Sequence, residues 1–371
     1  MSKKILLATR PLVPPWDEAS KNFAYFLGKT VHDHALTLLT TQTPLVGLPE
    51  SAYQEPIFQS GRFDIGAKLS LFSYLRTARK KFDITHYLFT PTKQNTNLIK
   101  WFARPSGKTL QTVATLRDDL YSPHALKSLL FADHIIVYTD RSKEKLTKLG
   151  FAHVTRIYPG IDLEHFNPQP KNQALLTGLG LTPEHFVVIY PGEYVRLGAT
   201  DMLTETFLRY FQEHPETNLR FVFACRIKNE ADKKKKEEVY QKFAKAGLLD
   251  YIAFSDTITD MVGLYNTADV VIFPVGNLKG KFDVPLVIIE AYACGKPVIL
   301  SDLPEFAEFS NSDICVTIPK DSGDKLIESL AYLKQNETER LRLGENARRY
   351  AKDHFDLKNT ATQYEEIYSS L

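Results

Sequence analysis

Short apolar runs alternate with amphipathic stretches along the whole chain. The runs predict buried β-strands, and the stretches between them, where apolar residues recur every three or four positions, predict helices. The predicted strands are 5–9, 34–41, 84–89 and 108–115 in the first half, and 186–190, 219–225, 251–254, 270–274, 297–300 and 315–318 in the second. Strand and helix alternate in both halves, which predicts an α/β protein with two doubly wound parallel sheets.

Length and composition narrow the class of protein. A chain of 371 residues is too long for one comfortable core and favours two domains. The net charge of +2 gives no argument for a nucleic-acid partner. Three widely spaced cysteines in apolar runs predict buried free thiols in a reducing compartment. Neither a signal-peptide core nor a membrane-spanning run is found, and we therefore expect a cytoplasmic location.

The stretch 281–301 (KFDVPLVIIEAYACGKPVILS) carries the most specific chemistry. Asp283 is predicted to cap the start of a helix, Pro285 to lie in its first turn, and Gly295 to end it. Glu290 follows Asp283 by seven residues, which would place both carboxylates on one helical face, roughly 10 Å apart. A carboxylate in an apolar helix needs a hydrogen-bond donor, and a sugar hydroxyl is one candidate.

The run EAYACGKPVI, residues 290–299, resembles the corresponding helix of the retaining glycosyltransferases of family four, the glycosyl transferases group 1. The resemblance implies that Glu290 holds the ribose of a nucleotide-sugar donor and that Asp283 orients hydroxyls of the donor sugar. Phe282 stands where the family has a second glutamate. The alternatives are that Asp283 is only a helix cap and that Glu290 is a salt-bridged interior acid.

Two further stretches resemble landmarks of the family, namely the last strands of its first domain and the turn that follows them. They are residues 131–139 (FADHIIVYT) and 154–166 (VTRIYPGIDLEHF), in which Gly160 supplies the turn. The resemblance implies the GT-B fold, in which two Rossmann-like domains face a central cleft. The predicted domains are an acceptor-side domain over residues 1–168, a nucleotide-sugar domain over 169–350, and a last helix over 351–371 that returns to the first domain. No dinucleotide-binding glycine motif follows the first strand of either half, which argues against an NAD enzyme.

Two positions of the first half depart from the family's pattern. Ala19 and Ser20 replace a pair of glycines near the donor phosphate, although the Ser20 hydroxyl and nearby backbone N–H groups could still serve. Arg117 replaces a histidine, and as a fixed cation it could stabilise the departing phosphate. A simple helix cap at Ser20, and a salt bridge from Arg117 to Asp118 or Asp119, are the structural alternatives.

Residues 191–201 (PGEYVRLGATD) lie where the family binds the donor diphosphate. Gly192 is in register, but Glu193 and Gly198 stand at the two positions where the family has cations. A diphosphate carries about two negative charges, and the loss of two cations should cost several kcal/mol unless others replace them. The candidate replacements are Arg196, Arg226, Lys228 and Lys281.

The resemblance implies a metal-independent, retaining transfer of a sugar to a hydroxyl acceptor, which could be a sugar, a lipid-linked sugar or a small molecule. The proposed catalytic residues are Arg117, Asp283 and Glu290. The proposed donor-binding residues are Ser20, Gly192, Arg196, Lys281, Val284, Pro285, Leu286 and Glu290. A catalytically impaired scaffold protein and a nucleotide-sugar epimerase are the alternatives.

The predicted helix over residues 67–81 ends in a cluster of basic side chains. Cations suit the negative end of a helix dipole, so a solvated helix end explains them. Peripheral contact with the inner face of a membrane is the functional alternative.

Overall fold

The computed structural model describes residues 2–14, 19–88, 92–255 and 260–371. They form two compact units, each built on a parallel sheet. The first unit comprises Met1–Gly160, Gly280–Val284 and Phe355–Leu371, and the second comprises Ile161–Lys279 and Pro285–His354.

The strands of the first sheet are β1 (Lys4–Leu12), β2 (Ala35–Thr41), β3 (Ala52–Phe58), β4 (Ile84–Tyr87), β5 (Lys108–Val113), β6 (His134–Val137) and β7 (Val154–Arg156). Those of the second are β8 (Phe186–Tyr190), β9 (Leu219–Ala224), β10 (Ile252–Ser255), β11 (Val270–Phe273), β12 (Val298–Ser301) and β13 (Cys315–Ile318). The spatial orders are β3-β2-β1-β4-β5-β6-β7 and β10-β9-β8-β11-β12-β13. Both sheets therefore reverse their winding direction once, between β1 and β4 and between β8 and β11. Ligands of such sheets bind outside the carboxyl ends of the strands at that reversal.

The helices are α1 (Ala19–Thr30), α2 (Ile65–Thr77), α3 (Lys93–Phe102), α4 (Pro123–Leu129), α5 (Asp140–Lys148), α6 (Gln173–Gly178), α7 (Thr200–Glu213), α8 (Glu230–Lys245), α9 (Met261–Thr267), α10 (Leu286–Ala293), α11 (Gly323–Gln335), α12 (Glu337–Phe355) and α13 (Leu357–Ser370). They cover both faces of the first sheet, as β1 shows. Ile5 and Leu7 pack in one apolar cluster with α1 and α13, whereas Leu6 and Ala8 pack in another with α2 and α3. A strand buried on both faces is apolar throughout, which is why the runs could be recognised in the sequence.

The prediction of two doubly wound parallel sheets is confirmed, but β3 was missed. Its residues, AYQEPIF, are mostly half-buried, because β3 is the edge strand of the first sheet. An edge strand tolerates polar residues and proline, so its sequence lacks the apolar run by which the other strands were found. The predicted strand 84–89 ends in Phe89, which lies outside the described residues.

The helix predicted over residues 67–81 is shorter at its carboxyl end. The helix α2 ends at Thr77, and Ala78 closes it by donating its N–H to the Tyr74 carbonyl. Arg79, Lys80 and Lys81 lie beyond that end, and Lys81 forms an ion pair with Glu55. Among the described residues, no helix combines the length and the apolar character needed to cross a bilayer.

A buried histidine, His86, joins the first sheet to α13. Its Nδ1 lies 2.7 Å from the Tyr368 hydroxyl and its Nε2 lies 2.8 Å from Oγ1 of Thr112. The ring is completely buried, and burial lowers the pKa of His86 from 6.5 to about 3. Both partners are hydroxyl groups that satisfy a neutral imidazole without the need for a charge.

This pKa makes the stability of the protein depend on pH. Below pH 6.5, the ordinary value, the unfolded chain takes up a proton at His86 that the native protein does not bind until its pKa of about 3. The free energy of unfolding should therefore fall by about 1.4 kcal/mol per pH unit over that window. Denaturant titrations from about pH 7 to about pH 4 check this slope. His86→Gln places an amide at the site that can still form hydrogen bonds but does not titrate, so this part of the slope should vanish. Parallel curves for the two proteins would contradict the prediction.

Candidate functional site

The loop after β8 turns sharply at Gly192, at the carboxyl edge of the second sheet. A Cβ atom on Gly192 would lie 2.0 Å from Cζ of Tyr190, whose side chain is completely buried. Only glycine allows this close approach. The Tyr190 hydroxyl donates a hydrogen bond to the carbonyl oxygen of Glu193 (3.4 Å), which ties the turn to the buried ring.

The Glu193 side chain gathers two cations. Arg196 donates from Nε and from one terminal nitrogen to the two carboxylate oxygens, both at 2.6 Å. Lys228, in the loop after β9, donates from Nζ to Oε1, also at 2.6 Å. The Glu193 side chain is only 6% exposed, whereas those of Arg196 and Lys228 are 39% and 34% exposed. A buried acid thus fixes two partly exposed cations where the strands of the second sheet end.

The second position that lacks the family's cation, Gly198, forms a turn. Its φ of +76° lies in the left-handed region, which favours glycine. The preceding residue, Leu197, accepts a hydrogen bond from the N–H of Gly276 (2.8 Å), which joins the loops after β8 and β11. The helix α7 follows, and its N-cap residue, Ala199, offers no side-chain oxygen. The N–H groups of such a helix start favour an anion.

Glu290 lies in the middle of α10 and is half-buried. The Tyr265 hydroxyl, on α9, donates a hydrogen bond to its Oε2 (2.8 Å). Burial, together with the Glu290 carboxylate, raises the pKa of Tyr265 well above its usual range, so the tyrosine stays a neutral donor. Burial also raises the pKa of the neighbouring Cys294 thiol to about 12, which makes it unreactive. The local chemistry of this site therefore rests on the carboxylate.

The predicted helix cap at Asp283 is wrong. The helix α10 begins at Leu286, and its N-cap is Pro285. Asp283 belongs to the first unit, where its Oδ1 accepts a hydrogen bond from the N–H of Leu116 (3.1 Å) and its Oδ2 accepts one from Oγ of Ser142 (2.7 Å). Asp283 and Glu290 are therefore not on one helical face. The Asp283 carboxylate holds the loop after β5 in place.

That loop carries Arg117, which forms the predicted salt bridge. Its Nε and a terminal nitrogen donate to the two carboxylate oxygens of Asp119, at 2.8 and 3.0 Å. The adjacent acid, Asp118, pairs with Lys145. Hydrogen bonding to Asp119 raises the pKa of Arg117, so the guanidinium keeps its charge at every relevant pH.

A cavity of about 420 Å³ lies in the first unit, where β1 and β4 end. Six of its lining side chains are Arg10, Ser20, Phe63, Lys68, Tyr138 and Phe282. The Arg10 guanidinium lies 5.5 Å from the centre of the Phe63 ring and Lys68 Nζ lies 5.9 Å from it, so both cations lie over the same aromatic ring. Ser20 is the second residue of α1, not its cap. The Phe282 ring meets Tyr138 edge to face at 5.8 Å.

The other sequence candidates are placed as follows. Lys281 is half-buried and Val284 is buried, both in the first unit, while Arg226 is half-buried in the loop after β9. Pro285 and Leu286 form the start of α10. Of the four candidate cations, the structure brings Arg196 and Lys228 together. Sequence reasoning missed Tyr265 and Ser142, because a single tyrosine or serine carries no signal until its partner is known.

Residues 256–259, between β10 and α9, lie outside the described residues. Within the described ranges, no three His, Cys, Asp or Glu side chains converge in a way that could hold a metal ion.

Residues 185–336 match the family model described as Glycosyl transferases group 1. The D-inositol 3-phosphate glycosyltransferase of Streptomyces bingchenggensis (strain BCW-1) is 29% identical over 178 residues, which cover 46% of this chain and 38% of that protein. The enzyme of the same name from Mycobacterium marinum (strain ATCC BAA-535 / M) is 31% identical over 173 residues, which cover 45% and 34%. The match thus spans less than half the length of each of these two curated relatives.

Two solved structures share the fold over nearly the whole chain. Anabaena HepE in complex with UDP has a TM-score of 0.75 at 17% identity and full coverage of both chains. The sucrose-phosphate synthase of Thermosynechococcus elongatus has a TM-score of 0.76 at 16% identity, with 99% and 98% coverage. These likenesses, with the two doubly wound sheets, confirm the predicted GT-B fold.

Proposed function

We propose that the protein is a glycosyltransferase that moves a sugar from a nucleotide-sugar donor to a hydroxyl acceptor, since residues 185–336 match the model of the glycosyl transferases group 1 family. The observation that carries the proposal is the cation pair on Glu193. Arg196 and Lys228 are fixed at the carboxyl edge of the second sheet, beside its reversal point, where a doubly wound sheet binds nucleotides.

In this proposal, the second unit binds the donor. Arg196 and Lys228 contact the diphosphate, the start of α7 adds backbone N–H groups, and Glu290 accepts hydrogen bonds from the ribose hydroxyls. The first donor to test is a UDP-sugar, since solved neighbours of the same fold hold UDP or UDP-glucose.

We further propose a metal-independent transfer with retention at the anomeric carbon. The donor phosphate takes the proton of the acceptor hydroxyl, the bond from the anomeric carbon to the phosphate oxygen breaks, and the acceptor oxygen forms the new bond on the same face. The protein supplies orientation and fixed positive charge for the leaving diphosphate. Arg117 is a candidate for that charge, and Asp283 is proposed to act through the loop that carries Arg117.

The cavity of the first unit is the proposed acceptor site. Its aromatic side chains suit the face of a sugar ring, and Arg10 and Lys68 suit a phosphate or carboxylate on the same molecule. We therefore propose a small anionic hydroxyl compound, such as a sugar phosphate, as the acceptor class. The name of the curated relatives, D-inositol 3-phosphate glycosyltransferase, supports this class. The cytoplasmic location expected from the sequence would bring the protein into contact with such compounds.

A protein of this fold that binds the donor without transfer is the second candidate. It is favoured by Glu193 and Gly198, which replace both cations of the family's diphosphate site. An epimerase would change the donor sugar with no acceptor present.

The test combines a binding screen with product analysis. UDP-, GDP-, ADP- and dTDP-sugars are screened by thermal shift, since a ligand of the native state raises the melting temperature. The donor that binds is then incubated, with and without a chelator, with glucose, glucose 6-phosphate, myo-inositol and myo-inositol 1-phosphate. We expect one donor class to bind and a product to form with a phosphorylated acceptor, undiminished by the chelator. Donor binding with no product from any acceptor would favour the binding protein, and a changed sugar without acceptor would identify an epimerase.

A further inference from the structure

The exposed face of α3 in the first unit is strongly apolar. Leu98, Trp101 and Phe102 are 45%, 73% and 52% exposed. Their spacing of three and four residues places them on one side of the helix. Scattered exposed apolar residues are ordinary, but three neighbouring ones that include a tryptophan mark an interaction surface.

A groove lined by basic side chains adjoins this face at Trp101. Lys80, Lys100, Arg104 and Lys108 line, together with Trp101, a groove of about 1020 Å³. Lys100 donates from Nζ to the carbonyl oxygen of Ser128 and lies 5.8 Å from the centre of the Phe131 ring. Burial and the nearby Arg104 lower the pKa of Lys100, so these two cations are close enough to repel each other.

The two acids of the groove are occupied by the ends of the strands. Asp83 accepts a hydrogen bond from the backbone N–H of Lys4 (2.8 Å). Asp133 accepts from the N–H and from Oγ1 of Thr109, both at 2.8 Å. The groove holds four cations against these two acids, so it presents a positive surface.

The groove lies at the opposite edge of the sheet from the proposed acceptor cavity. Asp83 and Lys108 stand where β4 and β5 begin, whereas the cavity lies where the strands end. A partner on the groove would therefore leave the cavity open.

We propose that this face, formed by Leu98, Trp101 and Phe102 together with the cations of the adjoining groove, docks on an anionic lipid surface. The apolar side chains enter the boundary between headgroups and acyl chains, where tryptophan is favoured, and the cations meet the lipid phosphates. The basic end of α2, which first suggested membrane contact, contributes Lys80, but the apolar half of the surface comes from α3. This inference does not depend on the proposed enzymatic activity.

The test uses the full chain with Trp16→Phe, so that tryptophan emission reports Trp101 alone. Vesicles of phosphatidylcholine, with or without phosphatidylglycerol, are titrated in. We expect a blue shift and co-sedimentation with the anionic vesicles, at least roughly tenfold stronger than with the neutral ones and weakened by salt.

Three variants locate the contact. Co-sedimentation should be lost in Phe102→Ala combined with Trp101→Ala, should fall at least roughly tenfold in Lys100→Gln combined with Arg104→Gln, and should be unchanged in Leu341→Ala, an exposed leucine of the second unit. Melting temperatures establish that each variant is folded. The proposal is overturned if the protein does not bind anionic vesicles, or if Leu341→Ala weakens binding as much as the α3 variants. It is also overturned if the blue shift depends on protein concentration in the absence of lipid, which would show that a second copy covers this face.

Discussion

We expect Glu290→Ala to bind the nucleotide-sugar donor roughly tenfold to hundredfold more weakly than the unaltered protein, because hydrogen bonds to a charged group contribute about 1.5–3 kcal/mol. The carboxylate is half-buried and already oriented by the Tyr265 hydroxyl. An oriented carboxylate pays little entropy when it accepts from two adjacent ribose hydroxyls. Calorimetric titration of the donor found in the screen measures the loss.

Two conservative variants separate donor binding from a purely structural role of Glu290. Glu290→Gln keeps the size of the side chain and one acceptor oxygen, so its loss of affinity should be smaller than that of alanine. Tyr265→Phe removes only the hydroxyl that orients Glu290. Its loss of donor affinity should be smaller than that of Glu290→Gln. If Glu290→Ala lowers the melting temperature but binds the donor as tightly as before, Glu290 is an interior acid satisfied by Tyr265, and its role in the donor site is refuted.

The fold of the second unit was accessible from the sequence because its strands are buried on both faces. All five residues of β8 are buried, and such runs need no knowledge of their partners to be recognised. The first sheet could be predicted equally well, except at β3, where one edge of the strand lacks a neighbour.

The site was harder to predict from the sequence, because its side chains are positioned by residues that are distant along the chain. An aspartate two residues before a proline predicts a helix cap by local rules, yet Asp283 binds Ser142, which is 141 positions away. Local capping contributes about 1 kcal/mol, and the hydrogen bonds from Leu116 and Ser142 to a charged oxygen outweigh it. No spacing rule in the sequence identifies such a partner.

Glu193 is a second residue whose role could not be predicted from the sequence. The sequence indicated the loss of a cation at this position, and Arg196 and Lys228 were among four equivalent candidates for its replacement. The structure shows that the substituted acid is itself what holds these two cations. The role proposed for the pair in donor binding stays a prediction, and it can be separated from the contribution of the pair to stability.

We expect Arg196→Gln combined with Lys228→Gln to have two large effects. The free energy of unfolding should fall by about 3 kcal/mol, because the buried Glu193 carboxylate loses its ion pairs with Arg196 and Lys228. Affinity for the nucleoside diphosphate should fall roughly 100-fold while affinity for the nucleoside is retained, because two charge-assisted hydrogen bonds to the phosphates are lost. Denaturant titration measures the first effect and calorimetry of nucleoside and nucleoside diphosphate measures the second.

Adding Glu193→Gln to the double variant distinguishes the two roles of the cations. The third substitution removes the buried charge that has lost Arg196 and Lys228, so most of the lost stability should return. The diphosphate affinity should not return, because the cations that contact the phosphates are still absent. If the triple variant instead recovers both stability and diphosphate affinity, the cations serve only to neutralise Glu193, and the donor phosphates must be bound elsewhere in the second unit.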